Sequence, residues 1–196
     1  MAGTGTFPPF AITICGIPEI EEHSTAGITH ILSIHDPDLL DPPEFGRFPP
    51  HRRLALRFHD IIEPRPRQIA PSRADVERLL EFGREVEGAP RGHLLIHCHA
   101  GVSRSTAAAA LILAQAVPER PAHEVFAAIV RIRPRAWPNL RILEFGDDIL
   151  GRSGDIVAAV PDVYRGVLDR QPQLEEAMIE GGRLREVLAA LGPPSA

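Results

Sequence analysis

The chain has 196 residues, 44% of them hydrophobic and 24% charged, which suits one folded domain with its own core and excludes a disordered or fibrous protein. A net charge of -5 excludes the broad positive field on which general nucleic-acid or acidic-membrane binding depends. No apolar run approaches the roughly 18 to 20 residues that cross a bilayer, and the start MAGTGTFPPF lacks a basic segment leading into an apolar one, so a cytoplasmic protein without membrane insertion is expected.

In chain order, FAITIC (10–15) is apolar and β-branched and predicts a first strand, and PEIEEHSTAG predicts a short helix opened by proline and closed by Gly27. ITHILSI (28–34) is a second buried strand. HDPDLLDPPEFGRFPP carries too many prolines for any steady period and reads as loop. RLALRF (53–58) is a third strand, followed by the proline-rich loop HDIIEPRPRQIAP. Six arginines lie between Arg47 and Arg67, with His51 and His59, against Asp60 and Glu63, a basic rim able to face an anionic substrate. Ser72 and Asp75 resemble a capping box, and Val76, Leu79, Leu80 and Val86 recur at helical spacing through Glu87. GHLLIH (92–97) predicts a short, wholly buried strand, and SRSTAAAALILAQA a helix packed deep in the core. Helical stretches over 123–132 and 139–150 are separated by RPRAWP. Residues 161–190 read as two further amphipathic helices around RQPQ, ahead of a loose GPPSA end. Strands alternating with helices predict an α/β fold, with a mainly parallel central sheet flanked by helices on both faces. The domain is expected over 1–160, with 161–196 a helical extension packed on it or in an oligomer contact.

Between the buried strand and the alanine-rich helix lies HCHAGVSRS, residues 97–105. A helix start leaves backbone N–H groups unpaired and carries partial positive charge, so a tight loop wrapping onto one presents donors to an anion. The amides of His99, Ala100, Gly101, Val102, Ser103 and Arg104 are placed to do so. Gly101 suits a cradle that forces one residue into a conformation costly for any β-carbon. Arg104 can fork two N–H groups onto two phosphoryl oxygens, which lysine cannot. Cys98, at the base of the cradle, feels the same field, which favours its thiolate and makes it a nucleophile. Cys15, in an apolar strand, reads as a buried filler thiol with no disulfide. His93, His97, Cys98 and His99 are all metal-ligand types, but Cys98 points away from the strand face shared by His93 and His97, and no second cluster completes a tetrahedron. No metal and no cofactor are expected.

HCHAGVSRS resembles the signature of the cysteine-dependent protein tyrosine phosphatases: His-Cys, five residues, Arg, then Ser or Thr. GITHILSI upstream and RPRAWPN downstream resemble the dual-specificity branch, and the likeness spans roughly residues 10–150. The resemblance implies that Ser105 hydrogen-bonds the sulfur and helps it leave, and that His97 braces the loop backbone. It implies a general acid at Asp60, 38 residues ahead of Cys98, with Glu63, Asp36 and Asp38 as alternatives. It also implies that Asn139 ties a downstream helix to the back of the loop, although an N-cap explains that residue equally well. Trp137 reads as packing. The expected activity is phosphomonoester hydrolysis through a phosphocysteine intermediate, with a phosphorylated protein or small phosphomonoester as substrate, phosphotyrosine first and inositol phosphates or phosphoinositides as the alternative. A non-catalytic phosphate-binding module and a rhodanese-like sulfurtransferase are the competing classes, and oligomeric state stays open.

Overall fold

The four β-branched and leucine-rich runs each form a strand: β1 (Ala11–Gly16), β2 (His30–His35), β3 (Arg52–Arg57) and β4 (His93–Cys98). In a computed structural model that describes residues 7–192, they make one all-parallel sheet in the order β1-β4-β2-β3. Residues 1–6 and 193–196, which hold most of the chain start and of the GPPSA end, lie outside the described residues. β4 sits between β1 and β2, with Leu94, Leu95 and Ile96 wholly buried. A strand covered on both faces has no solvent side, which is why Leu94, Leu95 and Ile96 run unbroken where an exposed strand alternates.

Helices α1 (Arg73–Glu87), α2 (Arg104–Ala116), α3 (Ala122–Ile132) and α4 (Leu140–Ile149) follow. Ser72 starts α1 by a reciprocal cap: its Oγ accepts from the Asp75 amide at 3.3 Å, and the Asp75 carboxylate accepts from the Ser72 amide at 3.0 Å. α2 is buried from Arg104 through Ala114, and its run of alanines, Ala107–Ala110, gives it a thin surface that other elements approach closely. Gly146 on α4 does so: a β-carbon there would fall 2.2 Å from a Leu111 methyl group. The opposite face of the sheet is covered by two 3-10 turns, Ile17–His23 and Pro43–Arg47. They deliver Ile20 and Phe45 to a small second core with Cys15, Ile28, Ile31, Phe48 and Leu95.

This second core holds Cys15, whereas Cys98 belongs to the larger core across the sheet. Register explains the separation, because Cys15 pairs with His97 and Gly16 with Cys98, and successive residues of a strand face opposite sides. Both thiols are free. Burial, and then the Glu19 carboxylate, pushes the Cys15 thiol up to about 12, which leaves it protonated and unreactive.

The C-terminal region differs from the two helices expected. It forms three: α5 (Asp155–Arg170), α6 (Leu174–Glu180) and α7 (Leu184–Leu191). α5 starts six residues before 161 because Asp147 at the end of α4 accepts from the amides of Gly154, Ile156 and Val157 at 2.6, 2.7 and 3.1 Å. The 160/161 border therefore falls inside a helix. Gly182, at φ +78°, turns the chain between α6 and α7. Tyr164 of α5 stacks on Trp137 at 4.6 Å, and its hydroxyl donates to the Pro138 carbonyl at 2.5 Å. No helix among the described residues is long and apolar enough to cross a membrane.

Candidate active site

In a parallel sheet all strands end at one edge, and the residues after those ends converge there. Here they are Ile17 after β1, Asp36 after β2, Phe58 after β3 and the 99–103 loop after β4. The loop owes its shape to what binds its carbonyls. His99 O accepts from the Ile17 amide at 3.0 Å, and Ala100 O from Arg133 at 3.0 Å and Arg135 at 3.2 Å. Gly101 O accepts from Arg133 Nε at 3.0 Å, Val102 O from the Trp137 amide at 2.9 Å, and Ser103 O from the Asn139 amide at 3.3 Å. Every carbonyl from 99 to 103 is thus tied to the surrounding protein. Among the described residues, none of the amides of 99–104 donates to a protein acceptor. Outward carbonyls leave these amides as a ring of available donors at the start of α2, the electrostatic requirement for holding an oxyanion.

Gly101 is obligatory in this loop. Its φ is +68°, and a β-carbon would lie 2.4 Å from the Cys15 carbonyl carbon and 2.6 Å from the Gly16 amide nitrogen. Cys98 closes the floor at 2% exposure, its Sγ 3.2 Å from Ser105 Oγ. Arg104 is 3% exposed. One of its terminal nitrogens donates to Asp36 Oδ1 at 2.6 Å and to the Phe58 carbonyl at 2.7 Å, while its buried Nε has no partner among the described residues. A buried guanidinium with donors to spare is a binding group for a planar pair of oxygens.

Asp60 lies beside this loop. Its Oδ1 accepts from Ser103 Oγ at 2.8 Å, Asn139 Nδ2 at 2.9 Å and an Arg183 nitrogen at 3.1 Å. Burial alone would raise its pKa, but the Arg183 and Arg104 guanidinium groups and the hydrogen bonds from Asn139 and Ser103 outweigh that and hold the carboxyl below its ordinary value. Asn139 caps α4, its Oδ1 accepting from the Ile142 amide at 3.1 Å, and its side-chain amide reaches Asp60 and the Ile61 carbonyl, while only its backbone amide meets the 99–103 loop, at Ser103 O. Asp36 faces Arg104, Glu63 pairs with Arg185, and Asp38 is exposed.

His97 is wholly buried, and its hydrogen bond goes to Ser33 on β2, Nε2 to Oγ at 2.8 Å. Burial, then the neighbouring His35, pulls its pKa down to about 3, so it is neutral and neither acid nor base near pH 7. His30, His35 and His93 are also lowered, in each case chiefly by burial. The sign follows from linkage: the unfolded chain takes up these protons near 6.5 and the folded chain resists. Stability is therefore complete above 6.5 and lost as pH falls, for His97 by up to ~1.4 kcal/mol per pH unit. Thermal unfolding between about pH 6.5 and 4.5, above the range where carboxylates titrate, should show this slope, and His97→Gln should flatten it. An identical slope in the variant would show that the proton goes elsewhere.

Two groups of residues escaped the sequence reading. Arg133 and Arg135 shape the loop, and Glu19 holds Arg133 in turn through two hydrogen bonds of 3.0 and 2.8 Å. Arg183 and Glu186 bring the C-terminal helices to the site. The RPRAWPN segment was the only available signal for the first pair. The expected basic rim is largely neutralised: Arg47 pairs with Glu21, Arg52 with Glu85, and Arg53 and Arg57 with Asp41. His93 engages Thr13 Oγ1 at 2.9 Å and the Ala26 carbonyl at 3.1 Å, and the described residues hold no cluster of three or more metal-ligating side chains.

The chain has the fold of the dual-specificity and PTP-type phosphatases. Human DUSP28 is similar at 17% identity and TM-score 0.53, over 72% of this chain and 94% of that one. DUSP15 is similar at 23% identity and TM-score 0.53, over 77% and 90%. The Cydia Pomonella PTP-2 phosphatase is similar at 18% identity and TM-score 0.56, over 70% and 84%. No protein-family model and no curated protein matches the sequence.

Proposed function

We propose that the protein is a cysteine-dependent phosphatase that hydrolyses aryl phosphomonoesters, phosphotyrosine in proteins first, through a phosphocysteine intermediate. The observation that carries this reading is the ring of unpaired amides from His99 to Arg104 around Cys98, with every loop carbonyl turned outward. A phosphoryl group in that ring meets the Cys98 sulfur from below. Arg104 then exchanges Asp36 for two phosphoryl oxygens, a trade of one anion for another that keeps its buried charge compensated.

The Cys98 sulfur attacks phosphorus, the ester bond breaks, and the leaving oxygen takes a proton from Asp60. Water then attacks the phosphocysteine, gives its proton to Asp60, and the S–P bond breaks. The Ser105 hydroxyl, 3.2 Å from the sulfur, stabilises the thiolate that leaves. Asp60 is held ionised in the free protein, so it must gain its proton as substrate binds. An arriving dianion supplies the cause, since a like charge beside a carboxylate favours its protonated form and Arg104 is drawn toward the phosphoryl oxygens. Turnover that depends on this acid should fall as pH rises.

The test is p-nitrophenyl phosphate hydrolysis, with EDTA and with vanadate. Metal-independent turnover and vanadate inhibition are expected, as is a loss of about 10²-fold or more in Asp60→Asn. EDTA sensitivity, or full activity in Asp60→Asn together with its loss in Asp36→Asn, would overturn the assignment. The pairing of Arg47, Arg52, Arg53 and Arg57 with carboxylates favours a single phosphate over a polyphosphate. A phosphotyrosine peptide should therefore be hydrolysed in preference to inositol hexakisphosphate.

A further inference from the structure

We propose that Arg183 is a positioning residue for the general acid: lodged between Glu186 and the phosphate loop, it clamps Asp60 against Ser103 and makes the C-terminal helices part of the catalytic unit. The inference rests on the phosphatase reading for Asp60's role, while the clamp itself stands on geometry.

Arg183 sits in the turn between α6 and α7, remote in sequence from Asp60 and Ser103, yet it is only 6% exposed. Each of its three guanidinium nitrogens has an acceptor. Nε donates to Glu186 Oε2 at 2.6 Å; one terminal nitrogen donates to Glu186 Oε1 and to Ser103 Oγ, both at 2.9 Å; the other donates to Asp60 Oδ1 at 3.1 Å and the Asp60 carbonyl at 3.4 Å. Glu186, itself wholly buried, is fixed from behind by Trp137 Nε1 at 2.6 Å and the Leu140 amide at 2.9 Å. The guanidinium plane is thus set on one side by a carboxylate that cannot move. Its other side bears at once on a side chain of the phosphate loop and on the candidate acid.

Attaching α7 to the domain would need only the bonds of Glu186 to Trp137 and the Leu140 amide. Here one guanidinium bridges Glu186, Ser103 and Asp60, so a shift of α7 moves the acid relative to the ring of amides. Lysine carries the same charge but has a single nitrogen and cannot span three partners.

The test compares wild type, Arg183→Met, Arg183→Lys, Asp60→Asn and the Arg183→Met/Asp60→Asn double variant on two esters, p-nitrophenyl phosphate and phenyl phosphate. Phenolate is the poorer leaving group and depends more on the acid. Arg183→Met should lose at least about tenfold more on phenyl phosphate than on p-nitrophenyl phosphate, and should add no further discrimination in the Asp60→Asn background. Arg183→Lys, which keeps a buried cation beside Glu186, should show the same ester discrimination in a smaller degree. Equal losses on both esters in both Arg183 variants, or additive losses in the double variant, would mean a purely structural role and overturn the proposal.

A second readout does not need turnover. Asp60 faces two cations, Arg183 from the turn before α7 and Arg104 from α2, and the uncharged Ser103 and Asn139. Its side-chain carboxyl carbon, assigned by NMR through Asp60→Asn, should titrate at higher pH in Arg183→Met and Arg183→Lys than in wild type. An unchanged midpoint overturns the clamp. If wild type hydrolyses neither ester, the phosphatase reading fails while this titration still decides the clamp.

Discussion

Replacing Cys98 with serine is expected to abolish aryl phosphate hydrolysis, by on the order of 10⁵-fold or more in kcat. The size of the loss follows from what surrounds the sulfur. Its side-chain partner is the Ser105 hydroxyl at 3.2 Å, and His97 on the same strand turns to Ser33 on the other face of the sheet. A serine hydroxyl in that position has no base to remove its proton, and its oxygen is a far weaker nucleophile than sulfur. The amides belong to the backbone and are unaffected by the substitution. Cys98→Ser should therefore still be stabilised by inorganic phosphate in a thermal unfolding assay while turning nothing over. Substantial residual turnover would assign the chemistry to a nucleophile other than this sulfur.

Arg104→Lys is expected to cost about 10³-fold in kcat with a smaller change in KM. Lysine keeps the buried positive charge opposite Asp36 and so spares most of the stability. It loses the planar fork that can engage two equatorial oxygens as the phosphoryl group flattens toward its transition state. Because the ring of amides binds the ground state as well, the defect should concentrate in kcat. A variant whose loss lies wholly in KM would show Arg104 to be a binding group alone.

The strands and the phosphate loop were legible because their determinants are local. Cys98, Gly101, Arg104 and Ser105 lie within eight consecutive residues, and a buried strand running into an alanine-rich helix fixes their relative placement. Asp60 and Asn139 came from the resemblance, and the structure places them in hydrogen-bond contact although they are 79 residues apart. The outward tethering of the loop was not legible. Glu19 and Arg133 are 114 residues apart, and neither carries a pattern beyond an ordinary surface charge. Arg183 is harder still: GGRLRE reads as a polar turn, and only packing of α7 against Trp137 and Leu140 carries that arginine into the interior. The early start of α5 has the same character, since it depends on the Asp147 carboxylate reaching forward to amides after a loop.

The claim on which all else depends is that Cys98 takes the phosphoryl group itself. It is tested most directly by mixing the protein with excess p-nitrophenyl phosphate, quenching in acid within a single turnover, and locating the phosphoryl group by peptide mass spectrometry. The account predicts a phosphorylated Cys98 in wild type, increased in Asp60→Asn, where hydrolysis loses its base, and absent in Cys98→Ser. Turnover with no phosphoryl group on Cys98 in either wild type or Asp60→Asn, or an adduct that persists on another residue in Cys98→Ser, would contradict it.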